Sequence, residues 1–377
     1  MGTLDDSGLD AQRHWFMPSI HDLPTPALLV DLEVLGRNLA SMQARCDALG
    51  VALRPHVKTH KCVEIGRMQL DLGARGITVA TLEEARAFAD AGFDDITWAF
   101  PLNLGRIDEA REIAERASFR ILVDSRAAID ALERDGFPHR VWLEVDCGDH
   151  RSGVDPEVPE AISLARALVD SRSLAFDGIL THAGHSYKAA DLAGRLAVAR
   201  QERDVMTGFA ARLREAGIVV HAISVGSTPG MTAVDHLRGV TEVRPGNYAY
   251  FDATQVSLGA CSAADCALTV LSTVVSSARD HAVVDAGALA LSKDAGRGDG
   301  RPSMGRLLED SESGTLREDV HLISLSQEHG VVDAPLPVGS RVRIVPNHSC
   351  LTNACFEHVH AVRGEDLVDV WRVRRER

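Results

Sequence analysis

The chain has 377 residues, 45% of them hydrophobic and 25% charged, a composition typical of a globular protein with room for one large domain and a smaller one. Its formal net charge of −14 and the lack of a long basic cluster argue against a nucleic-acid partner, and no apolar run has transmembrane length. Residues 1–10 do not have the pattern of a signal peptide, and seven scattered cysteines do not suggest a disulfide framework. We therefore expect a cytoplasmic protein that has no nucleic-acid or membrane partner.

Short apolar runs alternate with amphipathic stretches over residues 24–258, which predicts a parallel α/β fold. The predicted strands are 53–57, 76–79, 96–100, 119–123, 140–145, 176–181, 219–224 and 241–244. The predicted helices are 32–49, 63–72, 82–91, 107–116, 127–134, 158–169 and 192–216, with a short last connection through 234–237. No glycine-rich dinucleotide fingerprint follows the first strand, so these eight strands favour a closed (β/α)8 TIM barrel over an open sheet.

The pattern changes at about residue 259, where β-rich runs replace the alternation of strands and helices. These runs are 267–276, 281–285, 320–325, 340–345, 359–362 and 367–371, with a polar, glycine-rich stretch at 292–305. They predict a second, mainly antiparallel domain over residues 259–377. We expect residues 1–23 to join this domain, with 14–23 adding a strand or an arm.

The first predicted strand of the barrel leads to a lysine in a cationic setting. Lys58 follows an apolar run, and Arg54, His56, His60 and Lys61 lie within four residues of it. Burial and like charge are expected to disfavour its ammonium form, which frees the amine for Schiff-base chemistry. The alternative is a basic loop that binds a phosphate or a carboxylate by charge alone.

In a barrel, functional residues gather where the strands end. Polar residues follow the predicted strands at Lys58, Asp124, Asp146 and His182, and at the loops Gly226-Ser227-Thr228 and Arg244-Pro245-Gly246-Asn247. The two loops come after the seventh and eighth strands, where barrels often hold a phosphate through free backbone amides and hydroxyls. Each loop by itself is also compatible with an ordinary turn.

The second domain contains a pair of residues suited to a metal ion. His348 and Cys350 lie two apart after a predicted strand, so in extended backbone their side chains point to the same side. Two protein ligands leave coordination positions open, as catalysis requires. The pair could also be coincidental, or Cys355 and His358 could complete a structural site, although the chain would have to turn back on itself.

Two segments, Thr-Pro-Ala-Leu-Leu-Val-Asp at 25–31 and Arg-Pro-His-Val-Lys-Thr-His-Lys at 54–61, resemble the opening of the D-threonine aldolase and metal-dependent D-serine dehydratase family. The likeness runs from about Leu23 to the C-terminus. That family belongs to the alanine racemase-like, fold-type III enzymes that use pyridoxal 5'-phosphate. The resemblance implies a barrel followed by a β domain, a small D-amino acid as substrate, and a homodimer.

The resemblance also implies roles for individual residues. Lys58 carries the cofactor, His182 packs on its ring, and Arg151 lies near its phenolic oxygen unless it makes a surface ion pair with Asp149 or Asp155. Arg244 contacts the pyridine nitrogen, with Tyr187 or water as the alternative. The implied cofactor-binding set is Lys58, Arg151, His182, Tyr187, Gly226, Ser227, Thr228, Arg244, Gly246, Asn247 and Tyr248.

The family holds a divalent ion on a histidine-x-acidic or histidine-x-cysteine pair at the position of His348 and Cys350. Aspartate is typical of the D-threonine aldolases, and cysteine is typical of the zinc-dependent D-serine dehydratases. A thiolate ligand also favours Zn2+ over Mn2+ or Mg2+. We therefore expect zinc, with manganese or magnesium as alternatives.

These inferences predict a lyase that acts on D-β-hydroxy amino acids such as D-serine or D-3-hydroxyaspartate. In the dehydratase reaction, Lys58 removes the α-proton and the metal helps the β-hydroxyl to leave, which yields a 2-oxo acid and ammonia. In the alternative aldolase reaction, His185 takes the hydroxyl proton, and glycine and an aldehyde form. Two weaker alternatives are a non-catalytic cofactor-binding protein and a racemase. A racemase of this kind needs a tyrosine from the β domain, whereas Tyr187, Tyr248 and Tyr250 all lie in the barrel region.

Overall fold

The computed structural model describes residues 19–297, 302–309 and 314–376. Its strands are β1 Ala27–Asp31, β2 Ala52–Leu53, β3 Ile77–Val79, β4 Asp95–Pro101, β5 Ser118–Val123, β6 Arg140–Glu144, β7 Ala175–Leu180, β8 Ala222–Val225, β9 Glu242–Val243, β10 Leu268–Ser277, β11 Ala282–Val284, β12 Gly296–Arg297, β13 Pro302–Ser303, β14 Arg306–Leu308, β15 Leu316–Leu325, β16 Gly330–Val332, β17 Arg341–Val345, β18 His358–Arg363 and β19 Asp366–Arg372. Its helices are α1 Leu32–Leu49, α2 Val63–Asp71, α3 Leu82–Asp90, α4 Ile107–Ala114, α5 Arg126–Asp135, α6 Pro159–Asp170, α7 Leu192–Glu215, α8 Thr228–Ala233, α9 Ala253–Ser257, α10 Ala288–Leu291 and α11 Ser349–Ala354.

The first sheet contains eight parallel strands in the order β2-β9-β8-β7-β6-β5-β4-β3. Its two outer strands meet through a parallel bridge between His56 and Thr78, and the Thr78 amide donates to the Pro55 carbonyl at 2.8 Å. The sheet therefore closes, and the predicted barrel is confirmed. The predicted strand 219–224 begins too early, because β8 starts at Ala222 and Val219 is exposed.

Local sequence signals define the ends of the barrel helices. The Asp31 carboxylate accepts hydrogen bonds from the amides of Glu33 and Val34 at the start of α1, and Gly50 ends this helix with a φ of 69°. A side-chain acceptor satisfies the unpaired amides of a first helical turn, and glycine adopts positive φ at little cost. All seven predicted helices form, and the short last connection contains α8.

A buried network of charges lies at the amino ends of the barrel strands. Arg54 is only 1% exposed and donates to Asp95 at 2.5 Å and to Glu242 at 3.0 Å. Arg120 donates to Asp95 as well and to Asp177 at 2.5 Å. Each buried guanidinium therefore has carboxylate partners, as burial of a charge requires.

An apolar layer of Leu122, Trp142 and Leu180 lies inside the barrel. Gly178 makes room for it, since a Cβ at this position would lie 2.1 Å from the Ala222 carbonyl oxygen and 2.9 Å from the Trp142 ring. Leu122 and Leu180 also line the cavity at the carboxyl ends of the strands. The apolar layer therefore forms part of the floor of that cavity.

The second sheet has nine strands in the order β11-β16-β15-β14-β17-β10-β1-β18-β19, and all its pairings except β1 with β18 are antiparallel. It agrees with the predicted β-rich second domain. Strand β1 lies within the predicted barrel segment 24–258, yet it pairs with β10 and β18 in this sheet. The division at residues 24 and 259 stays a prediction, and this pairing favours a boundary after Asp31.

Part of the predicted N-terminal arm is described. Ser19 forms an antiparallel bridge with Asp366, and the Ile20 amide donates to the Glu365 carbonyl at 2.9 Å. Residues 14–18 of the arm lie outside the described residues. Among the described residues, none of the helices combines the length and apolar character needed to cross a membrane.

Candidate active site

A cavity of about 360 Å3 lies at the carboxyl ends of the barrel strands and includes residues of both domains. The predicted site residues that line it are Lys58, Arg151, His182, Tyr187, Ser227, Thr228, Arg244, Gly246, Asn247, His348 and Cys350. His56, Thr59, Glu144 and Asp149 also line it and were not in the predicted set. Three predicted residues, His185, Gly226 and Tyr248, do not contribute to this lining.

Lys58 lies in a short 3-10 turn, Val57–Thr59, directly after the bridge that closes the barrel. The ring of His56 precedes this turn, and its Nδ1 accepts a hydrogen bond from the Lys58 amide at 3.4 Å. Burial lowers the pKa of the Lys58 amine. The negative charges of Cys350 and Glu84 oppose this shift, and the positive charges of Arg151 and Arg244 add to it. The amine is therefore held in a setting that favours its neutral, nucleophilic form.

The source of the positive charge around Lys58 differs from the prediction. Arg54 points to the opposite end of the barrel, Lys61 forms an ion pair with Glu84, and the His60 ring contacts Gln69 Oε1 at 3.2 Å. Side chains from several strands converge at the mouth of a barrel, so the neighbours of Lys58 in space are not its neighbours in sequence. The charges that act on Lys58 come from more distant parts of the chain.

Two loops with hydroxyl groups face Lys58 across the cavity. Thr228 Oγ1 accepts from the Tyr248 amide at 3.1 Å, which leaves its own proton available for a ligand. Gly246 packs so closely on the turn of Lys58 that a Cβ would lie 2.7 Å from the His56 carbonyl oxygen. The predicted loops therefore meet at one place, and glycine is required for this approach.

Two residues of these loops have other partners. The Gly226 amide donates to Glu202 Oε1 at 3.0 Å, so it is not the free donor that the sequence suggested. The Tyr248 hydroxyl is buried and accepts from Gln69 Nε2 at 3.0 Å. The side chain of Tyr248 therefore points away from the cavity, because its phenol is satisfied inside the protein.

Arg244 is buried beneath the cavity. It donates to Ser224 Oγ at 2.5 Å and to the Thr181 carbonyl oxygen. Burial lowers its pKa, while the nearby carboxyl groups of Glu242 and Glu202 oppose this shift. Its guanidinium is therefore a fixed positive group next to the cofactor-binding loops.

Arg151 lies in the loop after β6, which is organised by an aspartate. The Asp146 carboxylate accepts from the amides of Gly148 at 2.8 Å and His150 at 3.0 Å. Among the ion pairs of the described residues, none joins Arg151 to Asp149 or Asp155. The arginine therefore faces the cavity, while Asp146 has a structural role.

His348 and Cys350 lie at the start of α11 and face the same cavity as Lys58. His348 Nδ1 is 2.6 Å from Asp294 Oδ2, which orients the ring and leaves Nε2 for a ligand. Burial acts to lower the pKa of His348, but Cys350 and Asp294 raise it to about 10. Burial acts to raise the pKa of Cys350, but the hydrogen bond and charge of His348 lower it.

Within the described ranges, no group of three or more His, Cys, Asp or Glu side chains could hold a metal ion. Cys355 Sγ contacts the Leu351 carbonyl oxygen at 3.4 Å and does not face the cavity. The alternative of a structural site with Cys355 and His358 is therefore not supported. A site on His348 and Cys350 would have two protein ligands and open positions.

The sequence offered little indication of Asp294 or Glu144. Asp294 lies in the polar stretch before β12, more than fifty residues from His348. Glu144 ends β6, where its Oε1 accepts from Ser152 Oγ at 2.9 Å, and its buried Oε2 has no hydrogen-bond partner in the described part of the chain. Position at the end of a barrel strand was the only signal for Glu144.

His185, the predicted base of the aldolase reaction, lies in the 3-10 turn Gly184–Lys188 behind the cavity lining. Both of its ring nitrogens are buried and have no hydrogen-bond partner among the described residues. His182, by contrast, lines the cavity, and burial together with Lys58 and Arg151 lowers its pKa well below the ordinary value. The neutral ring of His182 is suited to packing against a flat ligand.

A closed barrel with a buried lysine at its mouth and a β domain that completes the cavity is the architecture of the alanine racemase-like enzymes, which depend on pyridoxal phosphate. Comparison with known proteins agrees with this class. Residues 30–254 match the family model "Alanine racemase, N-terminal domain", and residues 267–362 match "Putative serine dehydratase domain". The chain belongs to the branch of this family that contains the D-serine dehydratases, the D-threonine aldolases and the 3-hydroxyaspartate dehydratases and aldolases.

Several curated relatives align over nearly their whole length. D-threo-3-hydroxyaspartate dehydratase of Delftia sp. (strain HT23) is 39% identical, over 93% of this chain and 97% of the relative. D-serine dehydratase of Dictyostelium discoideum is 32% identical, over 93% and 96%. D-threonine aldolase of Arthrobacter sp is also 32% identical, over 93% and 92%.

Solved structures show the same relationship. The Delftia dehydratase superposes with a TM-score of 0.89 at 37% identity, covering 94% of this chain and 98% of the other. A C-to-A variant of that enzyme, in its metal-free form, has the same TM-score. Alanine racemase from Bacillus anthracis has a TM-score of 0.67 at 15% identity, over 93% of this chain and 98% of the other, which shows the common fold.

Proposed function

We propose that this protein is a pyridoxal phosphate- and divalent metal-dependent dehydratase of D-β-hydroxy amino acids. The observation that carries the proposal is the meeting of two groups from separate domains: Lys58, with its lowered pKa, and the His348/Cys350 pair line one cavity. Such a cavity can hold an amino acid by its amine at one end and by its β-hydroxyl at the other. The expected products are a 2-oxo acid and ammonia.

The donor set of the cavity fits the cofactor. The hydroxyls of Ser227 and Thr228 and the close approach of Gly246 suit a phosphate group. Lys58 Nζ would bind the cofactor aldehyde covalently, and His182 would pack on its ring. When bound, pyridoxal phosphate supplies a ring that accepts the electron pair left at Cα after a bond to this carbon breaks.

Lys58 has a second task in the proposed reaction. When it is not bound to the cofactor, the Lys58 amine would be able to take the α-proton at Nζ. Its lowered pKa is important here, since only the neutral form of the amine can accept a proton, and burial favours that form. Arg151 and Arg244, the charges that add to this shift, also provide positive charge for the anionic groups of the ligand.

The donor set of the second domain fits zinc. An imidazole and a thiolate are ligands that Zn2+ accepts readily once both have lost their protons, and Asp294 already orients the His348 ring. When bound, the metal supplies a Lewis acid that stabilises negative charge on the departing β-hydroxyl oxygen. Manganese or magnesium would be weaker matches, because both prefer oxygen ligands.

The aldolase is the second candidate function, since one of the relatives is a D-threonine aldolase. Two features favour the dehydratase. The residue at position 350 is cysteine, and His185, which we expected to accept the hydroxyl proton of the aldolase reaction, lies outside the cavity lining. The higher identity to the hydroxyaspartate dehydratase supports the same choice.

One assay tests the proposal directly. The zinc-loaded protein is incubated separately with D-serine, D-threonine and D-threo-3-hydroxyaspartate, and both sets of products are measured. A 2-oxo acid with ammonia supports the dehydratase, whereas glycine with an aldehyde establishes the aldolase. Loss of turnover in excess EDTA, with the cofactor retained, would exclude a protein that only binds the cofactor. Conversion between D- and L-enantiomers without either product set would identify a racemase.

A further inference from the structure

Glu202 joins two loops of the active site without facing the cavity itself. This residue of α7 is 2% exposed, and its Oε1 accepts hydrogen bonds from the Ala183 amide at 3.2 Å and the Gly226 amide at 3.0 Å. Ala183 directly follows His182, and Gly226 directly precedes Ser227. One carboxylate oxygen therefore connects the loop after β7 to the loop after β8.

We propose that Glu202 is a positioning residue that sets the phosphate-binding loop relative to the ring-binding histidine, and thereby controls the affinity for the phosphorylated cofactor. The inference rests on the proposed function, since it assumes that the cavity binds pyridoxal phosphate. Glu202 acts through its neighbours, because it is not among the residues that line the cavity.

A second contact joins the same two loops. Ser186 Oγ, in the turn that follows Ala183, lies 2.8 Å from Ser227 Oγ. The Ser227 hydroxyl in turn accepts from the Gly230 amide at 3.2 Å at the start of α8. Glu202 therefore supports the backbone of the loop that carries Ser227, and the side chain of Ser227 lines the cavity.

The backbone at this point needs such support. Gly226 has a φ of 98°, a region that glycine enters freely and leaves as easily. A hydrogen bond from this amide to the buried carboxyl group of Glu202 restricts it. The positive charge of Arg244 acts on Glu202 and partly compensates the burial of its carboxylate.

The test compares the binding of pyridoxal phosphate with that of pyridoxal, which lacks the phosphate. Apoproteins of the wild type, Glu202→Gln and Glu202→Ala are titrated with each compound, and binding is followed by visible absorbance. Glu215→Gln, at an exposed position on the same helix, is the matched control. Far-UV circular dichroism and zinc affinity confirm that each protein titrated is folded.

We expect Glu202→Ala to bind pyridoxal phosphate about tenfold or more weakly, while the affinity for pyridoxal changes much less. Glu202→Gln keeps an acceptor oxygen and should lose a smaller part of the phosphate preference. An unchanged ratio of the two affinities in folded Glu202→Gln and Glu202→Ala would overturn the inference. Failure of the wild-type protein to bind pyridoxal phosphate would instead contradict the proposed function.

Discussion

Thr59 Oγ1 lies 3.2 Å from Cys350 Sγ, although the two residues are 291 positions apart in the chain. The same two segments meet again where Asn353 Nδ2 donates to the His60 carbonyl at 2.9 Å. The turn that carries Lys58 is therefore packed directly against the helix that begins beside His348. The distance between the nucleophilic amine and the thiol of the second domain is set by these contacts, so neither domain has the complete site.

Replacement of the lysine tests the covalent attachment of the cofactor. Lys58→Ala should abolish the borohydride-reducible link between cofactor and protein and also abolish turnover, because one amine performs both tasks. Visible absorbance and mass spectrometry after reduction measure this link. Lys188→Ala, at an exposed lysine, is the control and should retain both properties. A reducible link that persists in Lys58→Ala would show that another lysine is used.

Replacement of the cysteine tests the metal site. Cys350→Ala should lower the zinc affinity by a large factor, measured by competition with a chelating dye, and leave the cofactor absorbance intact because the cofactor ligands lie on the barrel. Cys350→Asp should be milder and shift the preference toward Mn2+ or Mg2+. Cys355→Ala is the control, since this thiol does not face the cavity. Retention of zinc and of activity in Cys350→Ala would remove the main support for the metal-dependent mechanism.

The contact between Asp294 and His348 predicts a smaller, graded effect. Asp294→Asn should weaken zinc binding by about ten- to a hundredfold, because the amide holds the ring less firmly than the carboxylate and makes the imidazole a poorer ligand. Zinc affinity is measured directly by calorimetry, and cofactor binding is expected to remain unchanged. Equal zinc affinity in Asp294→Asn and the wild type would show that the carboxylate does not support the ligand.

Glu202 should make the stability of the protein depend on pH. Burial raises the pKa of its carboxyl group to about 7, so the folded protein binds this proton more tightly than the unfolded chain does. The contribution to stability is present in full below the unfolded pKa and is lost as pH rises through about 7, a change of about 3 kcal/mol. Urea unfolding at pH 5 and pH 8 measures it. Glu202→Gln should lack this component of the pH dependence, and an equal slope in both proteins would contradict the assignment.

The oligomeric state is a further prediction. We expect a homodimer, on the basis of the family resemblance and of apolar residues next to the cavity. Phe100 is 54% exposed although it directly follows Ala99, which lines the cavity, and Leu104 is 47% exposed. Sedimentation at assay concentration should give twice the mass of one chain. A fully active monomer at that concentration would refute the prediction.

The barrel could be predicted from the sequence because each of its strands and helices corresponds to a local sequence pattern. Apolar runs of strand length and amphipathic stretches predicted all eight barrel strands, the helix that precedes them and the six helices of the first six crossings. Strand β1 was the exception. Its residues were placed in the barrel segment 24–258 without being predicted as a strand, and only pairing with β10 and β18 decided that they belong to the second sheet.

The same division between local sequence pattern and tertiary structure applies to the residues of the site. The lysine, the two loops and the histidine-x-cysteine pair are short motifs, so the sequence alone was enough to single out Lys58, Ser227, His348 and Cys350. Their meeting in one cavity depended on the packing of α11 against the turn of Lys58, which involves residues nearly three hundred positions apart.

Only the tertiary structure identified the residues that support the site. Asp294 contacts a distant segment through one hydrogen bond and Glu202 through two, and no local pattern distinguishes such carboxylates from the exposed ones of an acidic protein. The same holds for the positive charge near Lys58, which comes from Arg151 and Arg244 because side chains from several strands converge at the mouth of the barrel. Residue type and spacing determined which chemistry is available, whereas burial and long-range contacts decided which groups take part in it.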